Sequence, residues 1–126
     1  MVRQICLDSD ALIELVLNDE KTKEFIEQTE AEWHTTTINI FEIWSERNEK
    51  KQNIENLMNG LKKQEFDEIA ALKAGEIRRR VKEKGEFIEI RDIFIASTCI
   101  VNELELFTYN KKHFERLKPF GLKLIE

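Results

Sequence analysis

Hydrophobic positions along this chain switch between two spacings, and the switches mark out its elements. Arg3 to Leu7 alternates toward Ile5 and Leu7, the period of two that predicts a strand. Asp10 then opens a helix, with Leu15 and Val16 three and four places after Leu12. Lys21 to Thr29, carrying Phe25 and Ile26, predicts a second, short helix, and Trp33 to Thr36 a short strand. After Asn39, read as a cap, Ile40, Ile43, Trp44 and Arg47 have helical spacing. Ile54 to Leu61 predicts a helix closed by Gly60 or the residues beyond it, and Gln64 to Phe66 a brief strand. Ala70, Ala74, Ile77 and Val81 recur at four, three and four, one helix face, which Gly85 terminates. Asp92 begins the next helix, with Ile95, Ala96, Cys99 and Ile100 inward. Leu104 to Thr108 predicts a strand, Phe114 to Leu117 a helical turn, and Leu122 to Ile125 a last strand.

Strands alternate with helices throughout, so the expected fold is α/β, with a mainly parallel central sheet flanked by helices. Sites in such sheets form beyond the carboxyl ends of the strands. Two predicted strands carry polar residues there: Asp8 after the first, Thr108 and Asn110 after Leu104 to Phe107. One proline, four glycines and no repeat or linker predict a single domain over residues 1–126.

Composition narrows the function classes. Hydrophobic residues at 41% and charged residues at 36% describe a globular domain. No apolar run approaches the ~20 residues of a membrane helix. Asp8 and Asp10 interrupt the first apolar stretch, so no secretory signal is read there, and a cytoplasmic protein is expected. Cys6 and Cys99 lie far apart in apolar runs without metal-ligand spacing, which reads as buried free thiols. A formal net charge of −5 argues against a protein that coats nucleic acid. It leaves room for local contact, because Arg78, Arg79, Arg80, Lys82 and Lys84 form one basic cluster and Lys111 with Lys112 another. Solvated helix surface is the ordinary reading of both.

The acids are unevenly chosen. Only Asp8, Asp10, Asp19, Asp67 and Asp92 are aspartates among 25 acidic residues. Short carboxylates at strand ends and helix starts are what a compact Mg²⁺ site needs, since Mg²⁺ demands close oxygen ligands and keeps several waters. Each has an ordinary rival role: a turn or cap for Asp8, a helix cap for Asp10 and Asp92. Glu42 stands between Ile40, Phe41, Ile43 and Trp44, where a lone carboxylate is costly unless paired or metal-bound. An exposed position between apolar faces is its alternative. Glu46, one turn on, is placed to share its role. Asn110 is a neutral oxygen donor or a turn residue.

Other chemistries lack support. His34 and His113 have no triad context, and four isolated glycines form no phosphate loop. Asp8 and Asp10 match the DxD pair of haloacid-dehalogenase-like phosphatases, but Leu12 and the missing later Asp pair depart from that pattern.

The motifs together resemble the PIN-domain family, and within it the VapC-type toxins. Ile5 to Ile13, with Asp8 after an apolar strand, is similar to the family's opening. Glu42 within Asn39 to Ile43 is similar to its second acidic position. Gly85, Ile88, Asp92, Ile95-Ala96, then Leu106 to Asn110 and Phe114 resemble its second half, and Gly121 to Ile125 its final strand. The resemblance implies a PIN-like, Rossmann-like three-layer fold and metal-dependent cleavage of RNA. It implies Mg²⁺, or Mn²⁺ as a substitute, on Asp8 and Asp92, with Glu42 completing the acidic site. Thr108 would be a supporting hydroxyl near Asp8, and Asn110 stands where an Asp is frequent. It also implies a homodimer and a cognate antitoxin of the VapB type. The alternative is a non-catalytic PIN-like module that dimerises or binds RNA.

Overall fold

The computed structural model describes residues 2–46 and 49–126. In chain order they form β1 (Arg3–Leu7), α1 (Ser9–Val16), α2 (Glu20–Gln28), β2 (Ala31–Thr36), α3 (Thr37–Ser45) and α4 (Lys51–Asn59). There follow β3 (Lys62–Gln64), α5 (Glu68–Glu83), α6 (Ile90–Val101), β4 (Glu105–Phe107), α7 (Lys111–Phe114), a 3₁₀ turn (Glu115–Phe120) and β5 (Lys123–Leu124). The five strands pair in the order β3-β2-β1-β4-β5, all parallel.

β1 is central, with Ile5, Cys6 and Leu7 all buried, because helices cover both faces of the sheet. Cys6 faces a cluster built by Ala74, Ile77 and Val81 of α5 with Ile93, Ile95 and Cys99 of α6. Leu7 faces the opposite cluster, with Ala11 and Leu12 of α1, Ile43 of α3, and Ile54 and Met58 of α4. Both cysteines are free and buried. The sheet is therefore the middle of three layers, and its strands aim one end at a shared edge.

Several boundaries differ from the sequence expectation for identifiable reasons. α1 starts at Ser9, one residue before Asp10, because Asp8 is its cap and accepts from the Ser9 N–H at 2.9 Å. Asn39 is not a cap: Thr36 caps α3 by accepting from the Asn39 N–H, and Asn39 is fully buried inside the helix. The helical position expected at Arg47 lies outside the described residues. The third strand is Lys62–Gln64 rather than Gln64–Phe66; Phe66 instead meets Phe94 with ring centroids 4.3 Å apart. Lysines at an edge strand blunt it against further pairing, which hides it from a hydrophobic pattern. α6 starts at Ile90, so Asp92 lies in its first turn rather than capping it. Gly85, φ +69°, follows α5 in the left-handed region that its missing Cβ makes accessible.

Candidate active site

Asp8 ties three elements together at the carboxyl edge of the sheet. Its backbone N–H donates to the Phe107 carbonyl at 3.0 Å, fixing the end of β1 to the end of β4. Its extended backbone then turns directly into α1, so the carboxylate sits at a strand end with no intervening loop. The side chain is buried and fully engaged. Oδ1 accepts from the Ser9 N–H and from Asn39 Nδ2 at 2.7 Å, and Oδ2 accepts from the Thr108 hydroxyl at 2.7 Å. Asn39 is itself held, its Oδ1 accepting from the Thr36 hydroxyl at 2.7 Å. Glu42 follows one turn later on α3. Its Oε1 accepts from the Ser9 hydroxyl at 2.7 Å and, at 3.4 Å, from Asn39.

These residues wall a cleft of about 320 Å³ that Asp8, Asp10, Glu42, Arg91, Asp92 and Asn110 share. Asp92 Oδ2 lies 3.6 Å from His113 Nδ1, and Arg91 reaches to 3.8 Å from Glu42 Oε2. The Asn110 amide donates to His113 at 3.0 Å. Asp10 Oδ2 accepts from the Tyr109 N–H at 3.1 Å, while its Oδ1 is buried without a hydrogen-bond partner among the described residues. Glu46 lines the cleft from the exposed end of α3, where the backbone has already turned extended.

The acids strain against one another. Burial pushes the Asp8 carboxyl up, opposed by its hydrogen bonds from Thr108, Ser9 and Asn39. Asp10 is raised to about 6, first by burial and then by the neighbouring Asp8 charge. Asp92 is likewise raised to about 6 by burial and Asp8, with His113 pulling the other way. Glu42 is raised by burial, with Asp8 adding to the shift and the Ser9 hydroxyl and Arg91 opposing it. Among the described residues no group of three acidic, histidine or cysteine side chains is arranged to hold a metal ion directly. The cleft thus combines excess negative charge with carboxylates that are not gathered closely enough for three of them to ligate one ion.

The structure brings Asp8, Glu42, Asp92 and Asn110 to one cleft, with Thr108 behind Asp8. Four participants escaped the sequence reading. Ser9 and Asn39 bridge Asp8 to Glu42, Arg91 faces Glu42, and His113 faces Asp92. Asn39 lies three residues before Glu42, a spacing that places both on one helix face and was the available signal. Ser9 and Arg91 each adjoin an aspartate of the site in sequence, but adjacency carries no direction.

Comparison with known proteins settles the lineage. The PIN domain family model matches residues 5–118, nearly the whole chain. The chain belongs to the PIN-domain family. Among relatives of this PIN domain, Ribonuclease VapC1 of Methanocaldococcus jannaschii is 44% identical over 61 residues. That stretch is 48% of this chain and 45% of the relative, so under half of that protein's length is matched. A VapC ribonuclease of Pyrococcus furiosus is 29% identical over 124 residues, 94% of this chain and 82% of the relative. Among solved structures, VapBC2 of Rickettsia felis bound to a promoter DNA fragment is similar with a TM-score of 0.85 and 23% identity, covering 97% of both chains. DNA-bound VapBC of Salmonella typhimurium follows at 0.81 and 22%, covering 99% and 98%. At those identities the likeness shows the fold, and it agrees with the five-stranded parallel sheet between helices. The PIN assignment displaces the haloacid-dehalogenase-like alternative. No helix among the described residues is long and apolar enough to cross a membrane.

Proposed function

We propose that this PIN domain is a metal-dependent endoribonuclease, the toxin of a VapBC-type pair, working as a homodimer silenced by a VapB-type antitoxin. The observation that carries the enzymatic reading is the concentration of Asp8, Asp10, Glu42 and Asp92 in one cleft at the carboxyl ends of parallel strands. The names of the relatives supply the substrate class, RNA, and the partner class.

The donor set fits a hard divalent cation. It is all oxygen, its carboxyls are raised by burial and then by the neighbouring Asp8 charge, and one buried oxygen, Asp10 Oδ1, has no hydrogen-bond partner among the described residues. Asp8 and Asp92 would hold Mg²⁺, or Mn²⁺, largely through waters, as the separation of the side chains requires and Mg²⁺ hydration permits. When bound, such an ion polarises the phosphodiester and lowers the pKa of the attacking water.

The remaining steps belong to the chain's own residues. Thr108 and Asn39 hold both Asp8 oxygens, so the carboxylate keeps one orientation through turnover. Glu42, held by Ser9, has a raised proton affinity, which suits it to orient the water and accept its proton. Arg91 presents a cation across the cleft to the phosphate group, where it can offset the charge that builds on the leaving oxygen as its bond to phosphorus breaks. Asn110 keeps His113 beside Asp92 without adding charge.

Cleavage of a labelled single-stranded RNA by the purified domain with Mg²⁺ tests this. Asp8→Asn and Asp92→Asn are each expected to slow cleavage at least about a hundredfold while the domain stays folded. Full activity in both variants would defeat the assignment. A thermal shift on titrating Mg²⁺ separates the enzyme from a non-catalytic PIN module, because a ligand that binds only the native state raises its stability. No shift at millimolar Mg²⁺ would favour the module.

A further inference from the structure

In a chain of formal net charge −5, five cations crowd one helix end. Arg78, Arg79, Arg80, Lys82 and Lys84 close α5, and all are exposed. Arg80 lies 3.8 Å from Glu76, and the Lys84 ammonium stands over the Phe120 ring. Arg78, Arg79 and Lys82 form no ion pair with another described residue. The helix dipole favours cations at this end, but its effect fades beyond the last turn and leaves Arg78 and Arg79 unaccounted for.

Position gives the cluster its meaning. The short segment 84–89 joins α5 to α6, and the two helices pack against each other. The basic end of α5 therefore lies next to the first turn of α6, which carries Arg91 and Asp92 into the cleft. Between the helices lies a shallow groove of about 80 Å³, lined by Arg78, Lys82, Phe87, Ile88 and Ile93, with Val81 at its floor and Glu86 as its one acid against two cations. Ile93 directly follows Asp92, so the groove and the cleft lie on different sides of the same first turn of α6. Phe87 is 74% exposed, a large apolar ring that the fold leaves uncovered. Its segment is tethered, because Arg116 Nη1 donates to the Phe87 carbonyl at 2.9 Å.

We propose that Arg78, Lys82 and Phe87 form a binding track for single-stranded RNA beside the cleft. Resting on the nuclease reading, this adds a substrate-binding surface to it. Phosphates lie against Arg78 and Lys82, and one base stacks on Phe87. An exposed ring among cations recognises an unstacked base with its backbone, whereas paired RNA keeps its base faces hidden. The acidic cleft by itself repels a polyanion, and the track supplies the attraction beside it.

The test reads binding, so it does not depend on cleavage. A fluorescent single-stranded RNA is titrated onto the full chain in EDTA, followed by anisotropy over a range of salt. Arg78→Gln/Lys82→Gln is expected to weaken binding about tenfold and to flatten the log–log salt slope by roughly 1.4, the release expected for two phosphate contacts. Phe87→Ala is expected to weaken binding about tenfold with the slope unchanged. Arg3→Gln/Lys123→Gln removes the same charge at the opposite end of the sheet and is expected to change affinity less than about twofold. Equal weakening in that control would reduce the effect to net charge and overturn the track. So would unchanged RNA affinity in the groove variants, even if they lost an acidic protein partner, or tighter binding of duplex than of single strand. If the track variants weaken binding while the wild-type chain cleaves no RNA, the track stands and the nuclease reading falls.

Discussion

At the amino end of the sheet, Arg3 holds Glu105 with two hydrogen bonds of 2.9 and 2.8 Å, and Lys62 pairs with Glu32. At the carboxyl end, five acids line one cleft, where Arg91 lies 3.8 Å from Glu42 and the His113 ring 3.6 Å from Asp92. The proton affinities move in opposite directions. Hydrogen bonds from Arg3 and Lys62 hold Glu105 and Glu32 below the usual carboxylate range, while burial and mutual repulsion push Asp10 and Asp92 up to about 6. One end of the sheet is built to be stable as it stands. The other keeps a charge imbalance that a bound cation would relieve, the pattern of a site that gives up stability for binding.

The comparison breaks first at Asn39. This buried amide donates to Asp8 and to Glu42, the two acids it holds in one arrangement. Asn39→Ala leaves Asp8 Oδ1 with one donor fewer in a dry place and is expected to destabilise the domain by about 2 kcal/mol. A urea melt reads this. An unchanged midpoint would mean that the network is held by other contacts.

A smaller effect sharpens the contrast, and its sign is unusual. Asp92 has a native pKa of about 6 against an ordinary 3.8, so across that window the folded state binds the extra proton. Stability of the metal-free domain therefore rises as pH falls from 7 toward 4, because the unfavourable charge is neutralised in the folded form first. Asp92→Asn is expected to stabilise the domain in EDTA at pH 7 by on the order of 1 kcal/mol, after allowing for solvent screening. Mg²⁺ is expected to remove both the pH trend and the advantage of the variant. Thermal melts at pH 5 and 7, with and without Mg²⁺, check all of it. A variant that melts lower than wild type in EDTA would show that the Asp92 carboxylate stabilises the first turn of α6 more than its burial costs.

Most of this architecture was legible because parallel sheets write themselves as buried runs between helical periods. Ile5 to Leu7 and the face from Ala70 to Val81 are cases in point. β3 was misplaced because Lys62 and Lys63 belong to an edge strand whose pairing is set by β2 rather than by apolar residues. At the site, Asp8 and Glu42 stood out by context: one follows a strand directly, the other interrupts an apolar helix. Asn39 was misread as a cap because Asn is common there. Thr36, three residues earlier, offers the same chemistry and holds the cap. Arg91, His113 and the partnerless oxygen of Asp10 depend on which way side chains turn across the cleft, and a one-dimensional pattern holds no such direction.

The smallest effect belongs to the amino end. Arg3→Gln breaks an exposed pair, and exposed pairs contribute about 0.5 kcal/mol. The sign of its pH dependence is opposite to that of the cleft. Glu105 sits below its ordinary 4.5, so the pair's contribution is fully present above that pH and is lost as pH falls through the lowered value. Wild type minus Arg3→Gln, measured in urea, should give a difference that is flat from pH 7 to 5 and vanishes at more acid pH. It should also shrink in high salt, which screens an exposed pair. Cleavage and the Mg²⁺ response should match wild type, because the two ends are separated by the length of β1 and share no partner among the described residues. A changed Mg²⁺ response in Arg3→Gln would show that charge at one end of the sheet is felt at the other, and the independence of the two ends would have to be given up.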